Sequence, residues 1–576
     1  MRRHSHPRSR FSALVTTGAV ALSLGLPAAP AWAAPDMQGL GLSPSGRYLA
    51  GRHAEQLGSG RDALSFYGAA MRDETFSTLD LQHRLYALCL TEGRLDGALD
   101  ALNVISAADE KAPFSDLLRA QTAIKTGDYD KVAPLLADNE TGLIRLLAAL
   151  FEAWAKVGQK DLSGALKSLE PMKKHPPMEG VYHLHAALIE DIAGNREAAS
   201  KHFEAHLNAS RLSARTAELY GQHLERRGMT KEASELYAKY AEAGEGEPLL
   251  APAKARIEKG ERPPLAVSTA REGAGESLYN LAAILQTQLT DDQLAVLAHM
   301  ALDLNPNLED ARLFVAQSLE GNGRYEEANA IYMAVPKTSA LRWTSRLRLA
   351  DNLDRMGDQD GAIALLRELA GERKDRALPL VQLGDILRRH DRMDEANVAY
   401  SDALERVGTI ETQHWHILYA RGITYERTKR WPKAEADFLK ALELDGEQPM
   451  VLNYLGYSWI DQGKNLDRAL DMIRKAVDLR PRSGYITDSL GWGLYRLGQF
   501  QEAVLKLERA IMLEPGDPVI NDHLGDALWR VGRKREARFQ WERALTMEPE
   551  PDLVATIEKK LTSGLPAPVQ GKPDKK

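Results

Sequence analysis

The chain has 576 residues, a single cysteine and a formal net charge of −7. This acidic balance lacks the basic surface of general nucleic-acid or anionic-membrane binders, so we expect neither as a partner. The lone Cys89 excludes an intramolecular disulfide, and its place in an apolar column predicts a buried structural thiol.

The first 33 residues have the pattern of a secretory signal peptide. Arginines precede the apolar run ALVTTGAVALSLGL, and the sequence AWA at 31–33 offers a small-x-small cleavage site. The run is shorter than the ~20 residues of a membrane span, so we expect cleavage near Ala33 and not an uncleaved anchor. No cysteine follows it for lipid attachment, and no later segment is long and apolar enough to span a bilayer. We therefore expect a periplasmic protein without a lipid anchor, with a mature net charge of −11.

The last third of the chain repeats every 34 residues or so. Columns of glycine, alanine and proline keep the register: Gly422, Gly456, Gly491 and Gly525; Ala434, Ala469, Ala503 and Ala537; Ala441, Ala476, Ala510 and Ala544; Pro481, Pro515 and Pro549. Small residues let helix axes approach to about 8–10 Å, and proline ends a helix. The spacing therefore predicts helix–turn–helix repeats that need their neighbours to cover their apolar faces, as in a solenoid.

This unit resembles the tetratricopeptide repeat (TPR). The resemblance implies an all-α fold, a right-handed superhelical solenoid of paired helices. Weaker copies extend the pattern back to Gly51 and give about fourteen repeats, and no alternating strand pattern of any length occurs.

One irregular segment interrupts the repeats. Residues 243–275 are rich in Gly, Pro and charge, and the matching positions Gly221 and Ala282 on either side are 61 residues apart, which is not a multiple of 34. We expect a degenerate N-terminal array over 40–242 and a C-terminal array over 276–549, separated by an irregular connection or a lone helix. That connection is either a hinge or a rigid packed insertion. A polar capping helix is expected over 550–562 and a disordered tail over 563–576.

In a TPR superhelix the first helix of each repeat lines the concave wall, so side chains flanking the Gly column should point into a groove. They are aromatic and acidic with interspersed arginine: Tyr419, Asn453, Tyr457, Asp488, Trp492, Tyr495, Arg496, Asp522, Asp526, Trp529 and Arg530. Tyr and Trp are frequent anchors of protein interfaces, which favours protein or peptide binding here. The alternative is that some of these rings only cover the adjacent helix pair. A carboxylate clamp for acidic C-terminal tails is disfavoured, because the lysines of that clamp are missing.

The sequence favours neither an enzyme nor a metal site. His183, His185, His202 and His206 form the most suggestive cluster, since the last two share one helix face. The H-E-x-x-H pattern is absent, however, and His206 falls in a packing column. No G-x-S-x-G, P-loop or dinucleotide fingerprint occurs in a strand–turn–helix setting. We expect no catalytic residues, no metal and no cofactor.

The strings LNYLGYSWIDQG (from Leu452), ITDSLGWGLYRLG (from Ile486) and INDHLGDALWRVGRKREARFQWERAL (from Ile520) resemble the C-terminal repeats of exported bacterial TPR proteins. One type in that group is an outer-membrane lipoprotein that binds a carboxyl-terminal-processing protease and presents cell-wall hydrolases to it. This chain lacks the lipobox cysteine, so outer-membrane anchoring is not implied. The resemblance implies a non-enzymatic periplasmic scaffold, an adaptor for a protease or for cell-envelope assembly. The alternative is a polysaccharide-binding component of envelope export, because aromatic walls also stack on sugars.

Overall fold

The structure is a computed structural model that describes residues 42–566, except 73–77, 109, 138–141, 175, 211, 243–246, 338 and 340. The predicted signal peptide and residues 567–576 of the predicted tail lie outside the described residues. Within them, every regular element is a helix and none is a strand, which confirms the all-α prediction. No helix in these ranges combines the length and apolar character needed to cross a membrane.

The described residues divide into two compact lobes, an N-terminal lobe that ends at Leu341 and a C-terminal lobe that begins at Arg342. The N-terminal lobe contains eight helix pairs and one single helix. The pairs are α1 (Pro44–Gln56) with α2 (Gly60–Ala70), α3 (Leu79–Thr91) with α4 (Leu95–Ala107), α5 (Ser115–Thr126) with α6 (Val132–Leu136), α7 (Gly142–Gly158) with α8 (Leu162–Leu169), α9 (Pro176–Ile192) with α10 (Arg196–Ala209), α11 (Ala214–Arg227) with α12 (Thr230–Glu242), α14 (Ala270–Leu285) with α15 (Asp291–Leu304), and α16 (Glu309–Gly321) with α17 (Tyr325–Ala334); α13 (Glu247–Lys259) stands alone.

The C-terminal lobe contains six helix pairs and a final single helix. The pairs are α18 (Arg342–Arg355) with α19 (Gln359–Glu372), α20 (Leu378–Arg389) with α21 (Met393–Val407), α22 (Trp415–Arg427) with α23 (Trp431–Leu444), α24 (Pro449–Asp461) with α25 (Leu466–Leu479), α26 (Gly484–Arg496) with α27 (Phe500–Leu513), and α28 (Pro518–Arg530) with α29 (Lys534–Leu545); α30 (Pro551–Ser563) follows alone. The described residues therefore hold fourteen pairs, as the repeat count predicted.

The last repeat shows why the sequence forms these pairs. The Asp517 side chain accepts hydrogen bonds from two backbone N–H groups at the start of α28, which fixes where that helix begins. Gly532 turns the chain towards α29 with φ of +86°, a conformation that favours glycine. Gly525 faces the fully buried ring of Trp541, and a Cβ at that position would overlap the ring. The Gly column thus lets a large side chain of the second helix lie directly against the first.

The division between the lobes differs from the predicted boundary at 243–275. That segment holds the lone helix α13, one of the two forms expected for it, and the beginning of α14. Gly273 of α14 lies against the ring of Trp154, and the fully buried Glu276 accepts two hydrogen bonds from Arg215, at 2.8 and 3.1 Å. These contacts fix α14 onto α7 and α11, so residues 276–341 fold with the N-terminal lobe.

Candidate functional site

The eleven predicted site residues lie on four successive first helices of the C-terminal lobe, α22, α24, α26 and α28. We call this set the first-helix wall: Tyr419, Asn453, Tyr457, Asp488, Trp492, Tyr495, Arg496, Asp522, Asp526, Trp529 and Arg530. Helix α26 packs against both α24 and α28, which places its wall residues beside theirs. Many of their polar atoms and ring faces are already engaged by a neighbouring helix.

The three aspartates of the wall are buried, so the expectation that they are exposed in a groove is wrong. Asp488 on α26 accepts a hydrogen bond from Nδ1 of the buried His523 on α28, at 2.9 Å. Burial alone would lower the pKa of His523, but the Asp488 carboxylate raises it above its usual value. Asp488 therefore joins one first helix to the next.

The other two aspartates hold the final helix. Lys560 of α30 donates to both carboxylate oxygens of Asp522, at 2.7 and 2.8 Å, and to Asp526 at 2.9 Å. Asp526 also accepts a hydrogen bond from the indole nitrogen of Trp541, at 2.9 Å. Burial and the neighbouring Asp522 charge raise the pKa of Asp526 to about 6, although Lys560 opposes this shift. Helix α30 thus occupies the position of a further first helix, and Lys560 takes the place that His523 has one repeat earlier.

The wall aromatics stack on one another. Trp492 lies nearly parallel to His523 at a centroid distance of 4.0 Å and to Tyr495 at 4.7 Å. The Tyr495 hydroxyl accepts a hydrogen bond from Nε of Arg530 on the next first helix, at 3.2 Å. Tyr419 meets Tyr454 of α24 edge-on, with centroids 5.9 Å apart. The alternative that some rings cover the adjacent helices therefore describes these residues well.

An open strip remains on α24 and α26, which we define as Asn453, Tyr457, Asp461, Trp492 and Arg496. The Arg496 side chain is 36% exposed and donates to Asp461 Oδ1 on the preceding first helix, at 2.9 Å. Burial, together with the charges of Asp488 and Asp461, raises the pKa of Tyr457 to about 12. The buried Oδ1 of Asn453 has no hydrogen-bond partner among the described residues. The strip therefore combines partly exposed rings with a cation and an unused acceptor.

The end of the wall is covered by the chain itself. Trp529 lies under Gly564, the residue after α30, and a Cβ on Gly564 would overlap its indole ring. Arg530 donates from Nη1 to the backbone carbonyl of Pro566. The first residues of the predicted disordered tail are thus packed against α28.

A second candidate, which the sequence did not suggest, is a cleft of about 940 Å³ within the N-terminal lobe. Leu88, Leu319 and Ile331 line it, together with charged side chains from α3, α15, α16 and α17. At one side, Arg324 binds both carboxylate oxygens of Glu92, 232 residues earlier in the chain.

The charges around Arg324 are balanced within the cleft. Arg324 also donates to both oxygens of Glu327, at 2.7 and 2.9 Å, and Arg61 pairs with Glu327 at 2.9 Å. The two arginines and two glutamates thus pair with one another, and these ion pairs connect the end of α3 to the start of α17. The first-helix wall, with its open strip, is the stronger candidate for binding.

The histidines of the suggested metal cluster are engaged in different contacts. His183 and His202 share a hydrogen bond between their Nδ1 atoms, at 3.0 Å, whereas His206 donates to the backbone carbonyl of Gly180 at 2.7 Å. His185 accepts from the Trp154 indole at 3.1 Å. The described part of the chain contains no group of three or more His, Cys, Asp or Glu side chains placed to hold a metal ion.

Comparisons with known proteins agree with this architecture. A family model described as a tetratricopeptide repeat-like domain matches residues 278–417, and one described as a tetratricopeptide repeat matches residues 419–484. A TPR repeat-containing protein of Pseudomonas aeruginosa is 30% identical over 160 residues. That match covers 28% of this chain and 26% of the relative, so it spans about a quarter of the relative's length.

Among solved structures, the APC/C assembly Cut9–Hcn1 matches 85% of this chain and 98% of its own, with 14% identity and a TM-score of 0.38. The TPR protein YrrB matches 34% of this chain and 97% of its own, with 20% identity and a TM-score of 0.27. A structure of the MamA protein matches 33% of this chain and 96% of its own, with 23% identity and a TM-score of 0.26. The family matches, together with the paired helices, identify residues 278–484 as tetratricopeptide repeats. Repeats of this kind indicate a scaffold for protein–protein interaction.

Proposed function

We propose that this chain is a non-enzymatic adaptor of the periplasm that binds an extended protein segment along the open strip of the first-helix wall. The observation that carries the proposal is the stack of Trp492 with His523 and Tyr495 beside the exposed Arg496. Rings held in place before binding lose little conformational entropy on contact with a partner. Trp, Tyr and Arg are also the residue types that contribute most to protein interfaces.

The periplasmic location rests on the sequence of residues 1–33, with its arginines, apolar run and small-residue cleavage site. The resemblance of the C-terminal repeats to adaptors of carboxyl-terminal-processing proteases makes a protease or a cell-wall enzyme the first partner to test. No membrane or nucleic-acid partner is proposed.

The proposal is tested by placing a photo-crosslinking amino acid at Tyr457, in the open strip, and capturing partners in the intact periplasm. The matched control places it at Phe539 of α29, which is 60% exposed on a second helix. We expect one or two proteins crosslinked from position 457 and absent from position 539. The same set from both positions would contradict binding at the strip.

Two arginine substitutions test whether partner capture depends on the positive charge of the open strip. Arg496→Ala removes the exposed cation of the strip and should reduce capture from position 457 at least fivefold. Arg509→Ala removes an exposed arginine from α27 and should leave capture unchanged. The alternative of polysaccharide binding is less favoured by the geometry, since Trp492 and Tyr495 already stack on one another.

A further inference from the structure

The chain continues past α30 onto the first-helix wall. Gly564 adopts φ of +70° and is buried against Trp529, where a side chain would overlap the indole ring. Two residues later, the Pro566 carbonyl accepts a hydrogen bond from Arg530. Trp529 and Arg530 thus hold a short backbone segment much as they would hold a bound peptide.

Arg530 also shows where this segment lies relative to the open strip. While its Nη1 binds Pro566, its Nε donates to the Tyr495 hydroxyl on α26, at 3.2 Å. Tyr495 stacks on Trp492, which belongs to the strip. The docked segment therefore lies within one arginine side chain of the aromatic stack.

We propose that the segment after Ser563 is an intramolecular ligand of the first-helix wall. Gly564–Pro566 docks on Trp529 and Arg530, one arginine side chain away from the stack of Tyr495 and Trp492. The segment thereby competes with an external partner for the strip. The competition rests on the proposed function, whereas the occupancy of the wall by the segment does not.

The test uses a fluorescent peptide of residues 564–576 and a chain that ends at Ser563, which retains α30. In fluorescence anisotropy, the peptide should bind the shortened chain at least tenfold more tightly than the full chain, because the full chain already carries the segment. A peptide of the same composition in scrambled order is the control. Equal binding to both chains, or binding to neither, overturns the proposal.

A second variant keeps the chain at full length. Gly564→Val places a side chain against Trp529, so the built-in segment should lift and the full chain should then bind the added peptide. Arg530→Met in the shortened chain should weaken peptide binding at least fivefold, because the backbone carbonyl of Pro566 loses its hydrogen-bond donor. No change with either variant overturns the docking geometry.

Partner capture separates this inference from the proposed function. If the peptide binds as expected and the shortened chain captures more partner from position 457, both stand. Peptide binding without any partner at position 457 supports the intramolecular ligand and overturns the proposed partner site. Capture that is equal in both chains, with no peptide binding, overturns the inference alone.

Discussion

Replacing Lys560 with methionine should release α30 from the C-terminal lobe. The lysine ammonium makes three hydrogen bonds of 2.7–2.9 Å to Asp522 and Asp526, and its side chain is only 11% exposed. Methionine retains most of the apolar volume but leaves two buried carboxylates side by side without a cation. The remaining attachment of α30 includes the fully buried Ile557 and the contact of Gly564 with Trp529.

The size of the effect follows from the loss of one partner in a buried ion cluster. Such a change typically costs about 3–5 kcal/mol. Each 1.4 kcal/mol is a factor of ten, so local opening of α30 should become roughly a hundred to several thousand times more frequent. Lys559→Met is the matched control, because the neighbouring Lys559 is exposed on the same helix. It should change opening by less than about threefold, as surface substitutions usually cost under about 0.5 kcal/mol.

Hydrogen exchange of the α30 backbone amides measures this opening. The effect should also depend on pH with a defined sign. The pKa of Asp526 is raised to about 6 in the folded chain, above its usual 3.8, so folding favours the protonated carboxyl although Lys560 opposes the shift. The contribution of Asp526 to the free energy of unfolding should therefore be lost as pH rises from about 4 to 6. The Lys560→Met defect should shrink as pH falls below 6, because a protonated Asp526 no longer needs a cation beside it. Exchange in Lys560→Met within threefold of the unmodified chain, or an equal effect from Lys559→Met, would refute the reasoning.

Three further predictions concern packing and burial. Glu92→Gln weakens a partly buried hydrogen-bonded pair with Arg324 and should lower the free energy of unfolding by about 1.5–3 kcal/mol in urea titration. An unchanged free energy of unfolding would contradict the role of the pair. Gly525→Ala should cost about 1–3 kcal/mol by overlap with the ring behind it. Gly516→Ala, with open space around it, should change stability by less than about 0.5 kcal/mol, and equal costs would refute the packing argument. Burial raises the pKa of Cys89 to about 12. Its reaction with a thiol reagent at neutral pH should therefore be at least about a hundredfold slower in the native chain than in urea. Similar rates in the two conditions would contradict the burial of this thiol.

The fold could be predicted from the sequence because the repeat encodes it locally. Gly525 and Gly422 face Trp541 and Phe438, large rings at the same position of each second helix. At Gly491 and Gly456 of the same column the facing side chains are the aliphatic Leu507 and Ile473. A small residue and a large partner thus recur together, so the helix pairs and their number follow from the period. The boundary between the lobes could not be predicted in this way. It depends on contacts such as Glu92 with Arg324, whose separation of 232 residues leaves no periodic signal.

The candidate site was only partly predictable, since a column position does not state which neighbour a side chain faces. Asp488 and Asp522 occupy the same column, and both face the following helix where groove exposure was expected. One signal was present in the sequence. Each aspartate is followed, about one repeat later, by a residue that can carry a positive charge. His523 comes 35 residues after Asp488, and Lys560 comes 38 residues after Asp522. Paired charges at about the repeat spacing favour contacts between repeats over contacts with a ligand.

This pairing decides which substitutions can report on binding. Trp492→Ala removes two stacked contacts, each worth about 0.5–1.5 kcal/mol, so it should lower the free energy of unfolding by about 1–3 kcal/mol. Any loss of partner capture would then combine lost packing with a lost binding surface. Arg496→Ala breaks only an exposed ion pair with Asp461, which should cost less than about 1 kcal/mol. If both variants lose capture, while urea titration shows a loss of stability only for Trp492→Ala, the strip binds the partner directly. If capture falls only with stability, the Trp492 stack serves to join α26 to α28, and the partner binds elsewhere.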